Sequence, residues 1–244
     1  MTISKITSKS ITDATITADD IATGAVEGAF TTQIGRRNLI INGAMQVAQR
    51  GTSFSSVTGT SYTLDRLNYQ ETGSAVVTIT QESSGTRPVG FNKFARLEIT
   101  TADSSTDASD KMVLKHLLET QDVHCLNYGT ADAKDMTLSF WVRSSVSGTY
   151  SVAFYHQGST SYSYTASYTI SAADTWEKKT ITVPGNTAQA HDNDDNVVGL
   201  QIRWTLAVGS SGTLAEGTWA SGNYWGVSGQ TNLSETLNAT FDIT

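Results

Sequence analysis

Apolar positions along this chain follow two different rhythms, and the change from one to the other divides it. Met1, Ile6, Ile11, Ile16, Ile21 and Val26 stand five residues apart in a stretch otherwise made mostly of Thr, Ser, Ala, Asp and Gly. A helix needs apolar residues three and four apart and a half-buried strand needs them two apart, so neither form gives this segment a continuous apolar face. One large apolar side chain per pentad cannot offset an ordering cost of about 1–2 kcal/mol per residue in a lone chain. Residues 1–35 are therefore expected to be an extended attachment or trimerisation segment, with Ile6, Ile11, Ile16, Ile21 and Val26 as assembly residues that need neighbouring copies or a scaffold. The competing reading is a disordered tail, which has the same Ser/Thr/Asp-rich composition.

From residue 36 the period becomes two. Val198, Leu200, Ile202, Trp204, Leu206 and Val208 alternate with Gly199, Gln201, Arg203 and Thr205, which predicts a core strand over 197–208. Leu138, Phe140 and Val142 alternate likewise, as do Tyr150, Val152 and Phe154 beyond the turn at Ser147-Gly148, and these two strands are expected to pair. Further strands are predicted over 75–80, 93–100, 162–170, 176–183 and 236–243, and residues 111–126 read as a strand followed by a helical turn. Asn42-Gly43, between Leu39-Ile40-Ile41 and Met45 to Ala48, suggests a hairpin at the entrance. So many short strands with little helix predict an all-β two-sheet sandwich over 36–244.

Composition narrows the chemistry. The chain has 244 residues, 38% of them hydrophobic, enough for one full core plus an appendage. A net charge of -7 argues against a nucleic-acid partner, which requires clustered Lys and Arg. A single cysteine, Cys125, excludes an internal disulfide; beside His124 it reads as a buried small thiol rather than half of a metal pair. Residues 1–10 lack the apolar core of a secretory signal, and no stretch approaches the roughly 18 apolar residues that insertion in a membrane requires. Synthesis in a cytoplasm is expected.

No catalytic signature emerges: G-x-S-x-G, G-x-x-x-x-G-K-[ST], H-E-x-x-H and G-x-G-x-x-G are all missing, so a non-enzyme is expected. Two binding candidates remain. Asp192, Asp194 and Asn196 offer hard oxygen ligands to Ca²⁺, although Val197 and Arg203 occupy the sixth and twelfth positions where an EF-hand needs Gly and a bidentate carboxylate. A solvated turn is the competing reading, and no other cofactor is expected. Trp219, Tyr224 and Trp225, in a Gly/Ser/Asn-rich loop, could offer flat faces to sugar rings. Tyr162, Tyr164 and Tyr168 share one strand face that serves equally well as core.

The runs Arg37-Asn38-Leu39-Ile40-Ile41-Asn42-Gly43-Ala44-Met45-Gln46-Val47-Ala48-Gln49-Arg50-Gly51 and Tyr62-Thr63-Leu64-Asp65-Arg66 resemble the opening of a domain found in bacteriophage tail-fibre and other virion proteins, notably of cyanophages. Leu138 to Ser144, Thr175 to Lys179 and Gly229 to Leu233 continue the resemblance, which covers about residues 36–244. It implies a jelly roll similar to carbohydrate-binding modules, carried on a trimeric stalk. A homotrimeric virion subunit would attach to other virion proteins through residues 1–35 and meet host cell-surface glycan through the sandwich. A capsid decoration or collar protein with a clamping arm is the alternative. Leu67 departs from the pattern, standing where an aromatic often follows Asp-Arg.

Overall fold

The computed structural model describes residues 38–191 and 196–244. The pentad residues Ile6, Ile11, Ile16, Ile21 and Val26, with the acidic-turn residues Asp192 and Asp194, lie outside them.

Two antiparallel sheets form a jelly-roll sandwich. One contains, in spatial order, β1 (Ser53–Val57), β4 (Val76–Glu82), β5 (Phe94–Thr101), β13 (Thr240–Ile243), β7 (Met136–Ser144) and β10 (Glu177–Val183). The other runs β12 (Ala220–Ser221), β9 (Tyr162–Ile170), β8 (Gly148–His156), β11 (Val198–Val208), β6 (Lys111–Glu119), β3 (Leu67–Thr72) and β2 (Thr60–Tyr62). After β6 comes one helical turn, α1 (Thr120–Val123), continued by a 3-10 turn over His124–Leu126, as the mixed pattern of 111–126 implied.

Alternation places the core. Val152, Phe154, Ile202, Trp204, Leu114 and Tyr69 face inward from the second sheet, against Ile79, Leu97, Phe140, Val142 and Phe241 of the first. Edge-on aromatic contacts span the gap: the Phe140 ring lies 5.2 Å from that of Tyr168 and 5.9 Å from that of Trp204. Tyr164 and Tyr168 are core residues, each 6% exposed.

Three expectations are corrected. β7 and β8 do not pair: β7 lies between β13 and β10, while β8 lies between β11 and β9 in the opposite sheet. The link takes its hydrogen bonds elsewhere, Ser145 donating to the Thr240 carbonyl (3.1 Å) and the Tyr150 hydroxyl to the Val146 carbonyl (2.9 Å). It swings across at Gly148, whose φ of +149° suits glycine. Asn42 does head a turn, with φ +59° and Met45 N–H bonded to its carbonyl at 2.9 Å, but no hairpin follows. Its side chain accepts from Val47 N–H and donates to the Val47 and Asp65 carbonyls, each at 2.9 Å, which closes a loop in place of a strand pair. Cys125 is exposed rather than buried, because the 3-10 turn directs Leu126 inward in its place. No helix among the described residues is long and apolar enough to cross a membrane.

Candidate functional site

The outward face of the second sheet carries the polar half of its alternation. Since residues opposite one another in an antiparallel ladder share a face, the register defines a row across six strands: Tyr62 (β2), Asn68 (β3), Lys115 (β6), Arg203 (β11), Ala153 (β8) and Thr165 (β9). Gln70, Val113, Thr205 and Ser151 form the row on one side. Leu117, Gln201, Tyr155 and Ser163 form the row on the other.

Residues 209–231 cover the β8–β9–β11 half of this face, and its short hydroxyl side chains bond to their backbone. Thr165 Oγ1 donates to the Leu214 carbonyl (3.2 Å), Ser163 Oγ donates to the Gly222 carbonyl (2.8 Å) and Thr205 Oγ1 to that of Trp225. At the inner end of the loop the Arg203 guanidinium, 1% exposed, lies between two rings, 4.1 Å from the Tyr155 centroid and 3.8 Å from that of Trp225. It donates to Asn223 Oδ1 (2.7 Å), the Tyr224 carbonyl (3.1 Å) and Gln201 Oε1 (3.0 Å). Burial pulls its pKa down to about 9, which leaves it charged at neutral pH.

Lys115 is drawn down to about 8, by burial first and then by the Arg203 and Lys111 charges. Its ammonium donates to Gln70 Oε1 at 2.7 Å. Asn68 is 2% exposed and its Oδ1 has no hydrogen-bond partner, an unsatisfied acceptor on the floor of the face. At the β2 edge Tyr62 is 50% exposed, with the Arg50 guanidinium 5.4 Å from its centroid. Of that row Tyr62 presents a ring to solvent, whereas Asn68, Lys115 and Arg203 are buried beneath the face and give it positive charge from below. Neither Lys115 nor Arg203 is bonded to a carboxylate among the described residues.

The aromatic residues singled out from sequence are distributed over two places. Trp225 forms one wall of the Arg203 sandwich and also receives Lys111, whose Nζ is 4.8 Å from its centroid. Tyr224, half-buried, reaches the same neighbourhood through its backbone, its N–H bonded to Ser163 Oγ at 3.0 Å. Trp219 stands apart, beyond the β9 side. Its indole N–H donates to the Pro184 carbonyl (2.7 Å), and its ring meets Tyr128 at 5.8 Å and Tyr164 at 5.7 Å. Next to it His156, fully buried, accepts at Nδ1 from Asn186 Nδ2 (3.0 Å) and so presents Nε2–H to His191 Nδ1 (3.0 Å). Asn196, the one described residue of the acidic turn, is exposed. Sequence reasoning passed over Tyr62, Asn68, Lys115 and Arg203; the available signal was a buried-strand alternation whose second set of positions included an arginine.

In architecture the protein is an all-β, two-sheet antiparallel jelly-roll sandwich. Among solved structures it is similar to the enzymatically active domain of tailspike protein 4 of bacteriophage CBA120, with a TM-score of 0.46 and 11% identity over 84% of this chain. This chain spans only 20% of that tailspike structure. A family 4 carbohydrate-binding module is matched over 84% of this chain and 97% of its own, with 15% identity and a TM-score of 0.41. A family 11 module from Clostridium thermocellum, in complex with a mixed-linked tetrasaccharide, is matched over 79% and 91%, with 13% identity and a TM-score of 0.34. No protein-family profile and no curated protein matches the sequence.

Proposed function

We propose that this protein is a non-catalytic phage virion subunit of the tail-fibre type, attached and trimerised through residues 1–35, whose sandwich binds host-surface glycan on the outward face of the second sheet. The observation that carries the reading is the row Tyr62–Asn68–Lys115–Arg203, which sets an exposed ring and an unsatisfied amide oxygen beside two cations. Axial C–H groups of a pyranose pack on such a ring, and the buried cations beneath the face favour an acidic sugar. The resemblance of residues 36–244 to virion domains supports the setting. Three copies on one stalk would act with a high effective concentration, so a site no better than about millimolar suffices for adhesion.

The test is a glycan array and a host-cell pull-down with the full chain and with Tyr62→Ala. Tyr62 is a half-exposed residue of an edge strand, so its loss should leave thermal stability unchanged. Glycan affinity should fall about tenfold, the equivalent of about 1.4 kcal/mol. Failure of the full chain to retain any glycan would refute the binding role and leave the sandwich to the decoration or collar alternative.

A further inference from the structure

The outward face of the second sheet is charged against the trend of the chain. The sequence holds 23 acidic residues against 16 Lys and Arg. Yet the three central rows of the face, Tyr62 to Thr165, Gln70 to Ser151 and Leu117 to Ser163, contain no Asp or Glu. In the middle of them Lys115 and Arg203 stand directly opposite one another on β6 and β11. Like charges at opposed ladder positions repel, and these two are also buried, 7% and 1% exposed. A buried charge without a counter-charge is costly, so the pair is a standing burden on the fold.

The two cations differ in what surrounds them. Arg203 is enclosed by the Tyr155 and Trp225 rings, and Asn223, the Tyr224 carbonyl and Gln201 accept its N–H groups. Lys115 makes one hydrogen bond among the described residues, to Gln70 Oε1 at 2.7 Å, although an ammonium has three protons to donate. Gln70 is half-buried on β3, in the part of the face that residues 209–231 leave uncovered. A neutral carboxamide oxygen therefore occupies the place that a carboxylate oxygen would take, and rotation of that one side chain uncovers the ammonium. The exposed Tyr62 ring stands two strand spacings away in the same row, roughly 10 Å. Burial, and then the Arg203 and Lys111 charges, disfavour the protonated amine, and an anion at this point would relieve that strain.

We propose that Lys115 is the specificity-determining residue of this face: it takes the carboxylate or sulfate group of an acidic glycan when Gln70 swings aside, with Arg203 adding a second positive charge from below. The inference rests on the glycan-binding reading above and names the contact that selects the ligand. A sugar hydroxyl would only replace the Gln70 oxygen on like terms, whereas a charge-assisted hydrogen bond is roughly twice as strong as a neutral one.

Calorimetric titration of the full chain with oligogalacturonate, with its methyl ester and with a sulfated galactan oligosaccharide tests this. The better of the two acidic ligands should bind at least about tenfold tighter than the ester, and which one it is identifies the acid group. The advantage should shrink with added salt. It should also shrink from about pH 7 to about pH 9, since Lys115, held at about 8 in the free protein, then gives up its proton. Lys115→Met should bring acid and ester to the same affinity, whereas Tyr62→Ala should weaken both alike. Gln70→Glu sets the chain's own carboxylate against Lys115, so it should raise Tm by about 2–4 °C without ligand and cancel the preference for acid. Equal affinity of the full chain for acid and ester would overturn the proposal and leave the glycan-binding reading in place; binding of none of the three would refute both. A preference for acid that survived Lys115→Met, or no rise in Tm for Gln70→Glu, would also overturn it.

Discussion

Asp242 is 1% exposed on β13, directly opposite Arg96 of β5 and Arg143 of β7, and its carboxylate is shared by both guanidinium groups. Arg96 approaches with Nε at 2.8 Å from Oδ1 and Nη2 at 3.0 Å from Oδ2; Arg143 approaches Oδ2 with Nε at 2.7 Å and Nη2 at 2.5 Å. Asp242→Asn keeps the shape and removes the charge, so two cations face an amide in a place that water does not reach. Breaking a buried ion pair costs about 3–5 kcal/mol. Arg96, whose side chain is 32% exposed, can turn toward solvent, whereas Arg143, 13% exposed and 5.0 Å from the Trp176 ring centroid, cannot, which places the cost at about 3 kcal/mol. With a urea m-value of about 2–3 kcal/mol/M for a domain this size, the midpoint should fall by about 1–1.5 M. Equilibrium urea unfolding followed by tryptophan fluorescence reads that shift directly. A change below about 0.3 M would refute the view that Asp242 holds the centre of this sheet together by charge. Asp242→Leu with Arg96→Met and Arg143→Met should recover most of the loss, since a well-packed apolar triad replaces a buried ionic one at little cost.

Further outcomes are expected. Removing residues 1–35 should leave the sandwich folded by circular dichroism while light scattering shows loss of assembly; a truncated protein that stayed oligomeric would contradict the role given to the pentads. Burial holds His156 at about 3, with the neighbouring His191 adding to the effect, and burial holds His116 at about 4. Both are neutral in the folded chain but take protons in the unfolded one below about pH 6.5. Stability should therefore fall as pH drops from 6.5 toward 4, by about 2 kcal/mol per histidine at pH 5, with raised Glu71 acting in the opposite sense. Urea midpoints at pH 7 and pH 5, for the native chain and for His116→Asn, measure this; equal pH slopes in the two proteins would count against it.

How far the sequence carried the structure follows from what alternation reports. It names the face a residue occupies, so β11, β7, β8, β9 and the core identities of Trp204, Phe140 and Phe154 were legible. It does not name the neighbouring strand, which is why β7 and β8 were joined when their three-residue link crosses between sheets. β1, β2 and β3 escaped because Ser53 to Thr72 mixes exposed Ser and Thr with buried Asn68 and Glu71, and their periodicity is blurred. At the candidate site the polar half of β11 was visible, but the folding of residues 209–231 back over it was not. Its signal is a set of Ser and Thr hydroxyls bonding to backbone carbonyls, which any surface strand could equally carry. The Asp242 charge on a core strand makes sense only once Arg96 and Arg143, 146 and 99 residues away in the chain, are seen beside it.

That separation bears on synthesis. β13 alone joins the β1–β4–β5 group to the β7–β10 pair. As the polypeptide leaves the ribosome, β5 and β7 have to wait with bare ladder edges until residues 240–243 emerge. Closure is a late, non-local event that slows maturation. Throughout that interval a second nascent copy could slot its own strand into the gap.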